Sequence, residues 1–152
     1  MSGYKDLPDE SADALSSGWL HTGDVGRFDS EGYLYIVDRT KDMVISGGFN
    51  VFPREVEDVL STHSAVAMVA VIGVPDPKWG EAVKAVVVLS PGHEASDDLT
   101  RELQLLVREA KGPQQAPKSI DYREELPLTP VGKLDKKAIR AEYWRDSDRA
   151  VG

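Results

Sequence analysis

The sequence predicts an α+β fold: a small mixed β-sheet flanked by helices and preceded by a β-hairpin. Three observations carry this. Two short, β-branched apolar runs, Ala65–Val74 and Ala82–Leu89, follow one another with only Pro75-Asp76-Pro77 and a few polar residues between them. Helical stripes lie on either side of that strand pair, and aromatic segments punctuated by turn residues occupy the first fifty positions.

The elements follow in chain order. Residues 1–18 are polar, with a modest helical stretch over Glu10–Leu15. Val25–Phe28 and Tyr33–Val37 flank the turn signal Asp29-Ser30-Glu31-Gly32, which reads as a hairpin. Asp38–Asp42 is a charged break, open to reading as a turn or as a boundary between independently moving parts. Met43–Ile45 and Asn50–Phe52 flank Ser46-Gly47-Gly48 as a second hairpin. Pro53 suits the first residue of a helix, Glu55 falls in its first turn, and Val56, Val59 and Leu60 form its apolar stripe.

The two apolar runs read as buried strands, broken only by Lys84. Ser96–Asp98 offer cap residues for a helix in which Leu99, Leu103, Leu106, Val107 and Ala110 share a face, ended by Gly112-Pro113. Ile120–Tyr122 is a strand, Leu126–Gly132 a proline-containing loop and Leu134–Tyr143 a final helix.

Composition narrows the function classes. With 152 residues, 41% hydrophobic and 29% charged, the chain can bury a core without staples. It has no cysteine, which excludes disulfides, thiolate metal sites and a cysteine nucleophile. A net charge of −8 argues against nucleic acid as a partner, while leaving room for a few lysines to hold a small anion. No membrane span is expected, and the N-terminus lacks the layout of a secretory signal, so a cytoplasmic location is expected. His21, His63 and His93 are scattered without ligand spacing, so no metal site is assigned.

Three segments combine glycine with charge: His21–Asp24, Arg39–Gly48 and Thr129–Lys133. Each alone has an ordinary reading, as a turn before a strand, a hairpin tip and a solvated turn with a surface lysine. None is a phosphate loop of the GxxxxGK[ST] type, because Gly132-Lys133 lacks the upstream glycine and precedes Leu134.

Together, GWLHTGD, VDRTKD, ISGGFNVFPREVE and LPLTPVGKLDKKAIR resemble the adenylate-forming superfamily in order and spacing, over nearly the whole chain. That superfamily holds acyl- and aryl-CoA synthetases, luciferases and peptide-synthetase adenylation domains. ISGGFNVFPREVEDVL and IGVPDPKWGEAVKAVVVL are most similar to its fatty-acyl-CoA ligase branch. The resemblance implies the mobile C-terminal domain of such an enzyme over 41–152, preceded at 1–40 by the tail of a large N-terminal adenylation domain. It implies activation of a carboxylic acid with ATP and Mg2+ to an acyl-adenylate, then transfer to CoA. Much of the nucleotide and metal binding would belong to that N-terminal domain, the partner of this chain in the full-length enzyme. Residues 1–40 without it are expected to be mobile, rearranged or packed on another copy, which makes self-association a further expectation.

Residue by residue, the resemblance implies that Asp24 and Arg39 meet the nucleotide ribose and that Lys41 is the hinge. Lys133 is implied at the carboxylate and α-phosphate during adenylation, where an ammonium stabilises developing negative charge. Gly47 and Gly48 would line the pantetheine channel, Trp79 would stack on the CoA adenine and Lys118 would contact a CoA phosphate. The ordinary alternatives are a surface charge at Lys41 and a core or rim position at Trp79. Gln114-Gln115-Ala116-Pro117 departs from the aromatic or basic residues common before Lys118 in the family. Ile45 stands where luciferases carry a second lysine, which counts against luciferase-type oxidation. Two other classes remain: an adenylation domain loading a carrier protein, and a stand-alone nucleotide-binding or regulatory module.

Overall fold

A computed structural model describes residues 1–145, in two compact units: Met1–Lys41 and the chain from Asp42 onward. The first unit opens with helix α1 (Pro8–Ala14). It begins two residues before the expected Glu10, since Pro8 suits the first turn, where its missing N–H costs nothing. Strands β1 (Asp24–Phe28) and β2 (Leu34–Arg39) form an antiparallel ribbon. Its turn is held by Asp29 Oδ1, which accepts from the amides of Glu31 and Tyr33 at 2.9 Å each. β2 continues through Asp38 and Arg39, both expected to lie in the break. They stay in the ladder because Asp38 pairs with Val25 and Arg39 with Asp24, and the Thr40 amide donates to Gly23 O at 2.8 Å.

The second unit holds β3 (Val44–Ser46), β4 (Phe49–Val51), α2 (Pro53–Leu60), β5 (Val66–Asp76), β6 (Gly80–Leu89), α3 (Asp97–Lys111), β7 (Ser119–Arg123) and α4 (Lys136–Trp144). β6 is the axis of the sheet. On one side it pairs antiparallel with β5 along its length. On the other it meets β3 at Ser46–Gly80 and then runs parallel to β7 from Lys84–Ser119 to Val88–Arg123. The sheet is therefore mixed.

Strand alternation sends successive side chains to opposite faces, and both faces are covered. Val69, Val71, Val83, Ala85 and Val87 pack with Val56 and Leu60 of α2 and Leu103 and Val107 of α3. Ala70, Ile72 and Val86 pack on the other face with Leu126 and with Ile139 of α4. The two continuous apolar runs are thus the two sides of one buried strand pair.

α3 starts where Ser96 Oγ accepts from the Leu99 amide at 3.1 Å, and it closes on Gly112. α4 starts at Lys136 rather than the expected Leu134. Leu134 is engaged in a bridge with Leu128, and Asp135 caps the helix by accepting from the Ala138 amide at 2.9 Å. Lys84, the one interruption of the β6 run, has a largely buried side chain, 13% exposed, held in a polar cluster with β7 and α4. Its ammonium lies 2.6 Å from Asp121 Oδ1, and Tyr143 donates to Asp121 Oδ2 at 2.6 Å.

Candidate functional site

The β3–β4 hairpin turns through Gly47 and Gly48, whose φ angles are +58° and +84°. A two-residue turn with both central residues in the left-handed region matches strand twist, and glycine adopts it without steric cost. The Gly47 amide donates to the Trp79 carbonyl at 3.0 Å, tying the tip to the turn between β5 and β6. That second turn is set by Asp76 Oδ1, which accepts from the Lys78 and Trp79 amides at 2.8 Å each. The indole then lies against Gly47, so closely that a Cβ there would sit 2.9 Å from Cζ3 and collide with Cε3.

A cavity of about 230 Å³ opens at this contact, lined by Ser46, Phe49, Trp79, Pro113, Gln114 and Lys118. Three stretches distant in sequence meet there: the hairpin tip, the β5–β6 turn and the segment after α3. Trp79 is 40% exposed and Phe49 is exposed, so aromatic surface faces the cavity mouth. Two cations attend it. Lys78 Nζ stands 4.6 Å from the Trp79 ring centroid, and Lys118 Nζ donates to Pro113 O at 3.4 Å. The Lys118 backbone is fixed by its amide, which donates to Val83 O at 2.8 Å. An apolar slot with an indole wall and flexible ammonium groups at its edge suits a slender ligand with an aromatic, anionic end. Sequence reasoning brought Gly47, Gly48, Trp79 and Lys118 forward and named Gln114 only as a departure from the family before Lys118; it missed Phe49 and Lys78. The aromatic residue directly after a Gly-Gly tip was the available signal for Phe49.

Lys133 sits on a separate, tightly closed loop of the same unit. The Leu128–Leu134 bridge closes it, Thr129 N donates to Lys133 O at 2.7 Å, and Thr129 Oγ1 accepts from Lys133 N at 3.1 Å. Gly132 turns the chain at φ +76°, and the Asp135 amide donates to Pro127 O at 2.9 Å. The backbone is therefore pinned on both sides of the lysine. Its side chain is exposed and, among the described residues, makes no hydrogen bond or ion pair.

In the first unit, Asp24 and Arg39 face each other across the ribbon, with Arg39 Nε 3.2 Å from Asp24 Oδ1. Asp24 is further placed by its amide, which donates to Thr22 Oγ1 at 3.1 Å. A carboxylate accepts in several directions, so this pairing leaves acceptor capacity for hydroxyl groups. Lys41 is the last residue of the first unit.

The polar cluster behind α4 carries the clearest electrostatic perturbation. Partial burial pushes the Asp121 carboxyl up, but hydrogen bonds from Lys84 and Tyr143 outweigh it and hold its pKa below the ordinary value. Burial, and then the bond to Asp121, raises the Tyr143 phenol. Arg123 donates to Glu142 Oε2 at 2.7 Å and to the Tyr143 hydroxyl at 3.2 Å, extending the cluster along α4. Among the described residues there is no group of three or more His, Cys, Asp or Glu able to hold a metal ion, and no helix long and apolar enough to cross a membrane.

Known proteins share this architecture. The AMP-binding enzyme C-terminal domain profile matches residues 55–133. A medium/long-chain-fatty-acid–CoA ligase, FadD8 of Mycobacterium tuberculosis, is 56% identical over 99% of this chain and 27% of its own length. A long-chain-fatty-acid–CoA ligase of Bacillus subtilis is 46% identical over 93% of this chain and 25% of its own length. The solved structure of the amide bond synthetase McbA from Marinactinospora thermotolerans superposes with a TM-score of 0.83 at 43% identity. That match covers 94% of this chain and 29% of McbA. The chain thus spans about a quarter of the length of the curated relatives it matches.

Proposed function

The chain belongs to the AMP-binding enzyme C-terminal domain family, and from that membership we propose that it is the C-terminal portion of an AMP-forming acid–CoA ligase acting on a fatty acid. Such an enzyme joins a carboxylate to the α-phosphate of ATP with release of pyrophosphate. The CoA thiol then takes the acyl group and AMP leaves. The names of the two fatty-acid–CoA ligase relatives support the substrate class.

One observation carries the reading: Ser46 and Phe49, which flank the Gly47–Gly48 tip, line one cavity with Trp79 and Lys118, and the Trp79 ring rests on Gly47. The residues fit CoA. Glycines at the tip let a thin pantetheine arm approach backbone, Trp79 offers an indole for the adenine, and Lys118 offers an ammonium for a phosphate. Lys78, beside the same indole, is a second cation available to that anion.

Lys133 takes the adenylation role. Its pinned backbone and its ammonium, unengaged among the described residues, suit a group that stabilises charge developing on the carboxylate and α-phosphate, without itself exchanging a proton. Asp24 accepts from the ribose hydroxyls and Arg39 orients it across the ribbon. The unit boundary after Lys41 supports that position as the hinge about which 41–152 turns against 1–40 and the N-terminal domain. No residue of this chain is assigned to Mg2+.

The test is an acceptor assay on the enzyme that carries this chain at its C-terminus. With acyl-adenylate supplied, CoA is expected to be acylated, and Trp79→Ala to raise its KM. Transfer to a carrier protein with no reaction on CoA would overturn the reading.

A further inference from the structure

Among the described residues, the outer edge of β5 has no strand beside it, and an exposed run of unpaired backbone groups is a liability in any sheet. Here that edge is covered by side chains. Glu57 of α2 accepts from the Val71 amide with Oε1 at 2.7 Å. Trp144 of α4 donates its indole N–H to Gly73 O at 3.0 Å. Val71 and Gly73 are two residues apart, so both point away from β6 toward this edge.

Glu57 does a second thing at the same place. Though only 7% exposed, it receives Lys136 Nζ at 2.8 Å on Oε1 and 3.0 Å on Oε2. α2 packs on one face of the sheet and α4 on the other. The pair therefore joins the two layers around the rim of β5. Lys136 is the first residue of α4 and follows Lys133 by three positions. Between them, Leu134 bridges to Leu128 and Asp135 caps the helix.

We propose that Glu57 and Lys136 are positioning residues for Lys133: the ion pair is a strap around the β5 edge that fixes the start of α4, and hence the loop that presents the lysine. This rests on the adenylation role given to Lys133 above. A buried carboxylate left without its cation is costly, so the pair resists the small displacements that positioning must exclude. Displacing a reacting group by about 1 Å can cost on the order of a hundredfold in rate.

Two measurements test it, with Lys136→Met, Lys136→Arg and Glu57→Gln, the last of which keeps an oxygen for the Val71 amide. In the whole 152-residue chain, amide exchange of Thr129, Lys133 and Asp135 is expected to accelerate in Lys136→Met and return toward the parent rate in Lys136→Arg. Exchange of the central β6 amides should not change. In the enzyme, Lys136→Met and Glu57→Gln are expected to slow adenylation by roughly tenfold or more, chiefly in kcat. Thioester formation from supplied acyl-adenylate should persist, and Lys136→Arg should restore adenylation. Unchanged loop exchange, equal loss in both half-reactions, or no recovery with arginine would each overturn the strap. Lys133→Ala is assayed alongside. If it leaves adenylation intact, the role of Lys133 fails, and the exchange data alone then decide whether the pair holds the loop.

Discussion

The indole of Trp79 rests on Gly47, and the Gly47 amide donates to the Trp79 carbonyl at 3.0 Å. Each residue fixes the other. The hairpin tip cannot move without the wall of the cavity, and the wall is set by a glycine that has no side chain to keep it away.

Gly47→Ala is therefore expected to act twice. A Cβ at φ +58° costs about 1–2 kcal/mol in backbone strain, and the same Cβ drives the indole out of place. Denaturant unfolding should report the first effect, and a change in tryptophan fluorescence the second. Gly48→Ala shares the strain, but its Cβ would meet nothing within 4 Å. It should destabilise without moving the indole.

Trp79→Ala and Lys118→Ala are expected to weaken CoA use and spare adenylation. Stacking of a base on an aromatic ring is worth about 1–3 kcal/mol, so the KM for CoA should rise accordingly in Trp79→Ala and fall back in Trp79→Phe. Steady-state assays at saturating ATP and acid would measure this.

Acid should loosen α4 through Asp121. Its pKa is lowered in the folded state by the Lys84 and Tyr143 hydrogen bonds. The stabilisation is therefore present above the unfolded value, about 3.9, and is lost as pH falls through the lower folded value. Tyr143 works in the opposite sense. Its pKa is raised, so its contribution is present below about 10 and is lost as pH climbs through the folded value. Asp121→Asn should remove the part of the acid-side dependence that Asp121 contributes, so that the gap in stability between parent and variant narrows at low pH when followed by circular dichroism.

Much of this was legible in the sequence, and the exceptions have local causes. The β-branched runs, the Pro53 helix start, the Ser96 cap and the Gly-Gly tip each depend on neighbouring residues, and they stand where expected. β5 was expected to end at Val74 but runs through Pro75 to Asp76. Pro75 shares the parity of Val71 and Gly73, so its nitrogen lies on the open edge and no ladder bond is lost. Arg39 stayed in β2 through its partner Asp24, fifteen positions earlier in the chain, which periodicity within one segment does not reveal. The Glu57–Lys136 pair was invisible for the same reason, since its members are far apart in sequence. Asp135 before two lysines was a readable cap signal that the apolar Leu134 obscured. For the site, motif resemblance supplied Lys133, Trp79 and Lys118. That Trp79 and Lys118 share a cavity with the tip follows only from the sheet register and the turn after α3.

The most direct test of the account separates the two half-reactions in the enzyme carrying Lys133→Ala. Pyrophosphate release from ATP and acid is expected to slow by about 100- to 1000-fold, the scale set by loss of one charge-stabilising contact. CoA acylation from supplied acyl-adenylate should continue near the parent rate. Equal loss in both steps, or adenylation at the parent rate, would contradict it.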